Sequence, residues 1–119
     1  MTVNNQFFDD LRISDISVIS GTRPSGRMTD NSCYGRRNNG ILYVWKGEAT
    51  FYDDREETVV VSDGELVFIP KYKKYRMKYT AESTTFVVLD FDLYDKSNED
   101  VYLFADITVL AKDEEFNRF

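Results

Sequence analysis

Apolar and polar positions along the chain alternate in short runs separated by turn chemistry, and helical periodicity is scarce. Residues 12–20 alternate as a first strand. The stretches 21–26 and 36–40 read as turns, because glycine and asparagine accept positive φ and proline fixes its own. From Ile41 the β-type runs follow closely at 41–52, 57–61, 65–70, 72–79 and 84–93. Asp53-Asp54 and Ser62-Asp63-Gly64 supply hairpin tips between them. This spacing predicts an all-β sandwich or barrel and not βαβ units.

A last apolar run, 101–110, leads into 111–119, where acids precede Phe116 and Phe119 at i, i+3 spacing, as at the start of an amphipathic helix. The expected organisation is an N-terminal arm over 1–12 carrying Phe7 and Phe8, one barrel over 13–112, and a short C-terminal helix start over 113–119. A helix of two turns buries too little to stand alone, so the last segment is expected to continue in a longer protein.

With 42% apolar and 15% aromatic residues, 119 positions suffice for one core of ordinary size. The formal charge of −6 disfavours phosphate backbones and anionic membranes as direct partners of this chain. Cys33 is the single cysteine, the N-terminus lacks the pattern of a secretory signal, and no apolar run approaches a bilayer span. A cytoplasmic location without membrane contact is expected.

The most specific motif runs from Gly64 through Pro70 to Tyr75, with five residues between the glycine and the proline. Glycine turns the chain, and proline ends a strand where its missing N–H does no harm. The motif resembles the second cupin motif with Tyr75 in the histidine place and Tyr72 where a small residue is usual. Counting back from Gly47 by the first cupin motif puts Tyr34, Arg36 and Gly40 at the remaining ligand positions. The chain has no histidine, and imidazole and carboxylate are what such sites use to hold transition metals. Neither a metal nor another cofactor is expected.

Together with the run 36–51, the strand 84–93 and the late run 107–110, the motif resembles the N-terminal effector-binding cupin of AraC-family (arabinose-regulator type) transcription regulators. The resemblance covers 32–119. It implies a cupin-like double-stranded β-helix, or jelly-roll barrel, that binds a small effector such as a sugar. It further implies DNA binding only through a separate helix-turn-helix domain, and homodimerisation in the full-length protein.

Taking 80–83 as a hairpin turn sets Tyr75 opposite Val88, Met77 opposite Phe86 and Tyr79 opposite Thr84, all on one face. The resemblance places the Tyr75 position inside, so Tyr75, Met77, Phe86 and Val88 are candidate ligand contacts, and equally candidate core. Arg36 is the polar anchor, since a guanidinium gives paired donors to vicinal hydroxyls or a carboxylate; a structural salt bridge is its other reading. Tyr43 and Trp45 share one strand face, and if that face is inward Trp45 is a platform for a sugar ring.

On the opposite side Lys74, Arg76 and Lys78 form a solvated basic stripe. Val87, Leu89 and Phe91 form an apolar stripe that needs a cover, for which helices following Phe119 are the candidate. Asp53, Asp54, Glu56 and Glu57 lack the spacing of a calcium loop and read as hairpin-tip charges, and Cys33 lacks a base to activate it. The expected protein is therefore a sensor and not an enzyme. The alternative is a stand-alone metal-free sugar isomerase or epimerase with Tyr75 as acid and Asp90 or Glu48 as base. A purely structural barrel filled by its own side chains is a third reading.

Overall fold

The computed structural model describes residues 11–55 and 57–112. Among them nine strands form and no helix: β1 (Arg12–Pro24), β2 (Met28–Asp30), β3 (Asn39–Lys46), β4 (Glu48–Asp53), β5 (Thr58–Ser62), β6 (Glu65–Ile69), β7 (Tyr75–Tyr79), β8 (Ser83–Tyr94) and β9 (Thr108–Lys112). A five-stranded sheet in the order β1-β8-β3-β6-β9 faces a four-stranded sheet in the order β2-β7-β4-β5, with antiparallel pairing throughout. The arm residues Phe7 and Phe8, the tip residue Glu56 and the expected helix start at 113–119 lie outside the described residues.

Period-two alternation decides what each strand buries. Leu42 and Val44 of β3, Val67 and Ile69 of β6 and Phe86 of β8 meet Ala49, Phe51, Val61, Tyr75, Met77 and Tyr79 from the other sheet. Burying each such valine or phenylalanine contributes about 1.5–3 kcal/mol, so this layer is the principal source of stability. Thr84 is the polar member of the layer, and its hydroxyl answers both the N–H and the C=O of Glu48.

The structure corrects three expectations. β7 and β8 do not form a hairpin ladder; the chain crosses at 80–82 from one sheet to the other. Met77 pairs with Thr29 and Phe51, whereas Phe86 pairs with Gly21 and Val44. Period two sends their side chains inward all the same, and they meet across the sandwich. Tyr79 and Phe86 stack there with ring centroids 5.5 Å apart.

β1 also runs through the expected turn as far as Pro24, because the 12-residue β8 offers partners along its whole length. Proline is tolerated there since β1 is an edge strand. Finally, the outer apolar stripe of the large sheet is covered largely by the chain itself. Leu11, Ile41, Leu89 and Val101 pack around Phe68, Phe91 and Leu93, and the Phe104 ring lies 5.2 Å from that of Phe68. Val87 alone of the stripe stays substantially exposed.

Candidate functional site

Two loops meet at one end of the sandwich. Gly35, at φ 79°, lets the 31–38 loop lie against the 70–74 loop; a side chain there would collide with the backbone of Tyr72. The Tyr72 N–H then donates to the Arg36 carbonyl at 2.6 Å, and the Arg36 N–H donates to the Lys73 carbonyl at 3.0 Å. Tyr72 itself sits at φ 69°, a costly conformation for a bulky residue, where the resembled motif has a small one.

These contacts aim the Arg36 side chain between the sheets. Its Nη2 donates to Asp90 Oδ1 at 2.5 Å, Nε to the Tyr75 hydroxyl at 3.2 Å and Nη1 to the Asn38 carbonyl at 2.9 Å. Gly40 makes room for this: a Cβ at that position would lie 2.7 Å from the guanidinium carbon. The arginine is therefore paired and oriented, with each charged hydrogen bond contributing about 1.5–3 kcal/mol.

The guanidinium forms the polar end of a cavity of about 290 Å³ between the sheets. Leu42, Ile69, Met77, Phe86 and Val88 supply apolar walls, Tyr75 and Tyr79 aromatic ones, and Ile19, Arg23, Arg27, Met28 and Thr29 complete the lining with Asp90. Arg23 lies 5.3 Å from the Phe86 ring centre. Burial pushes the Tyr79 hydroxyl above its ordinary pKa, while Arg23 and Arg27 pull in the other direction. Three arginines against one aspartate make the cavity cationic within an acidic chain.

Of the residues singled out from sequence, Arg36, Tyr75, Met77, Phe86 and Val88 come together here. Tyr43 and Trp45 do not. Leu42 and Val44 take the inner face of β3, so Tyr43 and Trp45 stand on the outer face, edge to face at 6.2 Å, with Trp45 57% exposed beside a bulge. Their role as an inward sugar platform is withdrawn. Arg23 and Arg27 are the additions, while Tyr79, already on the same period-two row, and Asp90, named from sequence only as a candidate base, join the lining.

Beside the cavity lies a buried ionic network. Lys71 Nζ is 2.7 Å from Asp100 Oδ1 and 3.2 Å from Asp92 Oδ1, and Asn38 Nδ2 donates to Asp92 Oδ1 at 3.0 Å. Burial alone would lower the Lys71 pKa, but the hydrogen bonds to Asp100 and Asp92 outweigh it and hold it above the ordinary lysine value. Asp92 is the mirror case: burial raises it, yet Asn38 and Lys71 keep it below the usual carboxylate range. Asp100 and Asp106, the latter bound to Lys73 at 2.8 Å, tie the 95–107 segment onto the barrel.

The arrangement does not fit a metal. Of the four ligand positions of the cupin motifs, Tyr34 is 94% exposed, Arg36 is a cation, Gly40 has no side chain and Tyr75 accepts a hydrogen bond from Arg36. Among the described residues no group of three or more histidine, cysteine, aspartate or glutamate side chains converges on a point that could hold an ion.

No family model and no curated protein matches the sequence. Solved structures do match in shape. Unsaturated-fatty-acid-bound ToxT from Vibrio cholerae superposes with a TM-score of 0.51 at 12% identity, over 67% of this chain and 40% of that one. A ToxT structure bound to (E)-4-(8-methylnaphthalen-1-yl)but-3-enoic acid gives 0.53 at 6%, over 65% and 30%. YhaK from Escherichia coli gives 0.61 at 15%, over 92% and 47%. The fold is a cupin jelly roll. This chain thus spans less than half the length of each of these neighbours, and at such identities the likeness speaks for the fold alone. Among the described residues no helix is long and apolar enough to cross a membrane.

Proposed function

We propose that the cavity binds a small organic effector and that this cupin is the sensing part of a DNA-binding transcription regulator of the AraC type. The observation that carries the reading is the paired, oriented Arg36 in a cavity of about 290 Å³ whose apolar walls are joined by Arg23 and Arg27, close to the lower end of the range for small-molecule sites. A chain that only needed a filled core would gain more from an aliphatic residue than from a partly buried arginine whose charge must be balanced.

The lining supports a guest with an apolar body and a carboxylate, which Arg23 and Arg27 would attract and Arg36 could share. The carboxylic acids bound by ToxT agree with that class. A sugar is the other candidate. Arg36 and Asp90 offer a donor and an acceptor to hydroxyls, although the lining holds no tryptophan on which to stack a ring. The non-catalytic reading is supported by Asp90 being engaged by Arg36 and by Glu48, whose carboxylate accepts from Thr80 at 2.6 Å and does not line the cavity.

Thermal unfolding against a panel of medium-chain carboxylates, the matching alcohols, and pentoses and hexoses tests the proposal. A guest at about a hundred times its Kd stabilises the fold by about 2.7 kcal/mol. Carboxylates are expected to raise Tm and the alcohols to fail, with the response reduced in Arg23→Gln/Arg27→Gln. A response to sugars alone would replace the ligand class but keep the sensor. No response to any member of the panel would leave the self-filled barrel as the better account.

A further inference from the structure

The outer face of the four-stranded sheet carries a cleft of about 460 Å³. Tyr75, Met77 and Tyr79 of β7 point into the core, so Lys74, Arg76 and Lys78 alternate with them on the outside. The register brings their neighbours to the same side: Arg76 lies between Asp30 of β2 and Tyr52 of β4, and Met28 lies beside Lys78. The Asn31 N–H donates to the Tyr75 carbonyl, which sets Ser32 next to Lys74. Met28 and Tyr52, both exposed, give the cleft its apolar surface, Lys74 and Arg76 give it charge, and Ser32 and Asp54 also line it. Among the described residues Lys74 has no ion pair, and Arg76 has one, from Nε to Asp30 Oδ2 at 3.6 Å, with both side chains more than half exposed. The neighbouring acids are occupied elsewhere. Asp30 Oδ1 accepts from the Ser32 N–H at 2.9 Å and its hydroxyl at 2.6 Å, and Asp53 Oδ1 accepts from the N–H groups of Arg55 and Glu57 at 2.9 and 3.0 Å.

We infer that this cleft is a second binding site, for a small aromatic anion: a flat ring carrying a phosphate or a carboxylate. Tyr52 and Arg76 are direct partners on adjacent strands, with Cβ atoms about 5 Å apart, so phenol and guanidinium form one floor on which a ring can stack. Met28 closes that floor on the β2 side. Lys74 stands two residues from Arg76 on the same face, about 7 Å along the strand, and meets an anionic group at the edge of the ring. A neutral ring would leave both cations unanswered, and a bare anion would leave Tyr52 and Met28 unused. The volume lies within the range of small-molecule sites. Met28 and Tyr75 border both this cleft and the cavity at Arg36, and the two share no other lining residue, so the inference needs no guest in that cavity.

Isothermal titration of the intact chain with adenosine monophosphate and with indole-3-acetate, each beside its neutral counterpart, adenosine or indole-3-ethanol, tests it. At least one anion should bind with a millimolar Kd or better, and its neutral counterpart at least about tenfold more weakly. Which anion binds decides between phosphate and carboxylate. Tyr52→Ala, which removes the stacking ring, and Lys74→Gln/Arg76→Gln, which removes the charge, should each weaken binding about tenfold with an unchanged circular dichroism spectrum. The inference is overturned if neither anion binds, if the neutral counterparts bind as well, or if binding survives both sets of substitutions. Binding of a single-stranded oligonucleotide where the mononucleotide fails would also overturn it, since the face would then be a nucleic-acid surface.

Discussion

Replacing Lys71 by methionine isolates the ionic network beside the cavity. The side chains of Lys71 and Asp92 are 7% and 8% exposed, and both carboxylates of the network depend on the one ammonium. Methionine fills nearly the same volume, so little of the loss should come from packing. Breaking a buried pair by removing one partner costs about 3–5 kcal/mol, because the remaining charge is stranded. Asp92 keeps its bond from Asn38 and Asp100 is more exposed, which places the expected loss near the lower figure, about 3 kcal/mol. At about 4 °C per kcal/mol for a domain of this size, Tm should fall by roughly 12 °C. The sign of the pH dependence follows from the same geometry. In the native chain the lowered Asp92 pKa contributes stability that is present above the unfolded value of about 3.9 and lost as pH falls through the folded one. The raised Lys71 pKa contributes stability present below about 10.4 and lost as pH rises through its folded value. In Lys71→Met the Asp92 carboxyl is left with its burial, its pKa should move up, and the deficit should shrink on acidification from pH 8 toward pH 5. Urea unfolding of both proteins at the two pH values measures this. A loss under 1 kcal/mol, or one equal at both values, would refute the stranded-charge account.

Gly40→Ala should push the Arg36 guanidinium out of its place; the obstructing atoms are the far end of a flexible side chain, so the stability loss should stay near 1 kcal/mol while any ligand-induced rise in Tm disappears. Gly47→Ala should cost more, about 2–3 kcal/mol by urea unfolding, because Gly47 has φ 118° and a Cβ there would meet the Thr84 Cα at 2.6 Å, a backbone contact that cannot swing aside. Trp45 is the single tryptophan and faces solvent, so its fluorescence should be that of a hydrated indole, open to iodide quenching and unchanged when a guest fills the cavity; protection by a guest would return it to the site.

The strand series was legible because β-type runs of five or more residues between glycine and aspartate turns leave few other readings, and β3, β4, β5 and β6 fall where the pattern puts them, whereas the apolar run 101–110 becomes strand only from Thr108. Facing was harder. Both faces of β3 are apolar, so only the tertiary structure separates Leu42 and Val44 from Tyr43 and Trp45. Connectivity failed at 80–82, where a three-residue link that suits a hairpin instead steps between sheets; local sequence specifies the turn but not which edge the next strand joins. The inward row of Tyr75, Met77, Phe86 and Val88 survived that error because side-chain alternation along a strand is independent of its neighbour. Arg23 and Arg27 were missed because one lies in, and the other directly follows, the stretch 21–26 that reads as a surface turn. Their approach to the cavity depends on β1 continuing to Pro24, which is set by the length of β8.

The centre of the site gains its order from a substitution of charge for charge. A cupin of the metal-binding kind arranges lone pairs around a cation that it must acquire. Here the Arg36 position carries its own cation on a side chain, fixed by the backbone of Tyr72 and Lys73, and Gly40 gives up the volume that this requires. Asp90 balances the charge, and the Tyr75 hydroxyl accepts a third direction of the fork. The result is a polar group aimed at the cavity with little orientational freedom left to lose when a guest binds, which is the condition for recognition by few contacts. On the proposed function, the same backbone, which continues through Lys71 and Lys73 to Asp100 and Asp106, is the route by which a guest that displaced Arg36 would reach the segment 95–107. In such a linkage a guest can move the segment only if it binds one arrangement of the loops better than another, and the Arg36–Asp90 pair, made or opened by the guest, is the contact that can supply that difference.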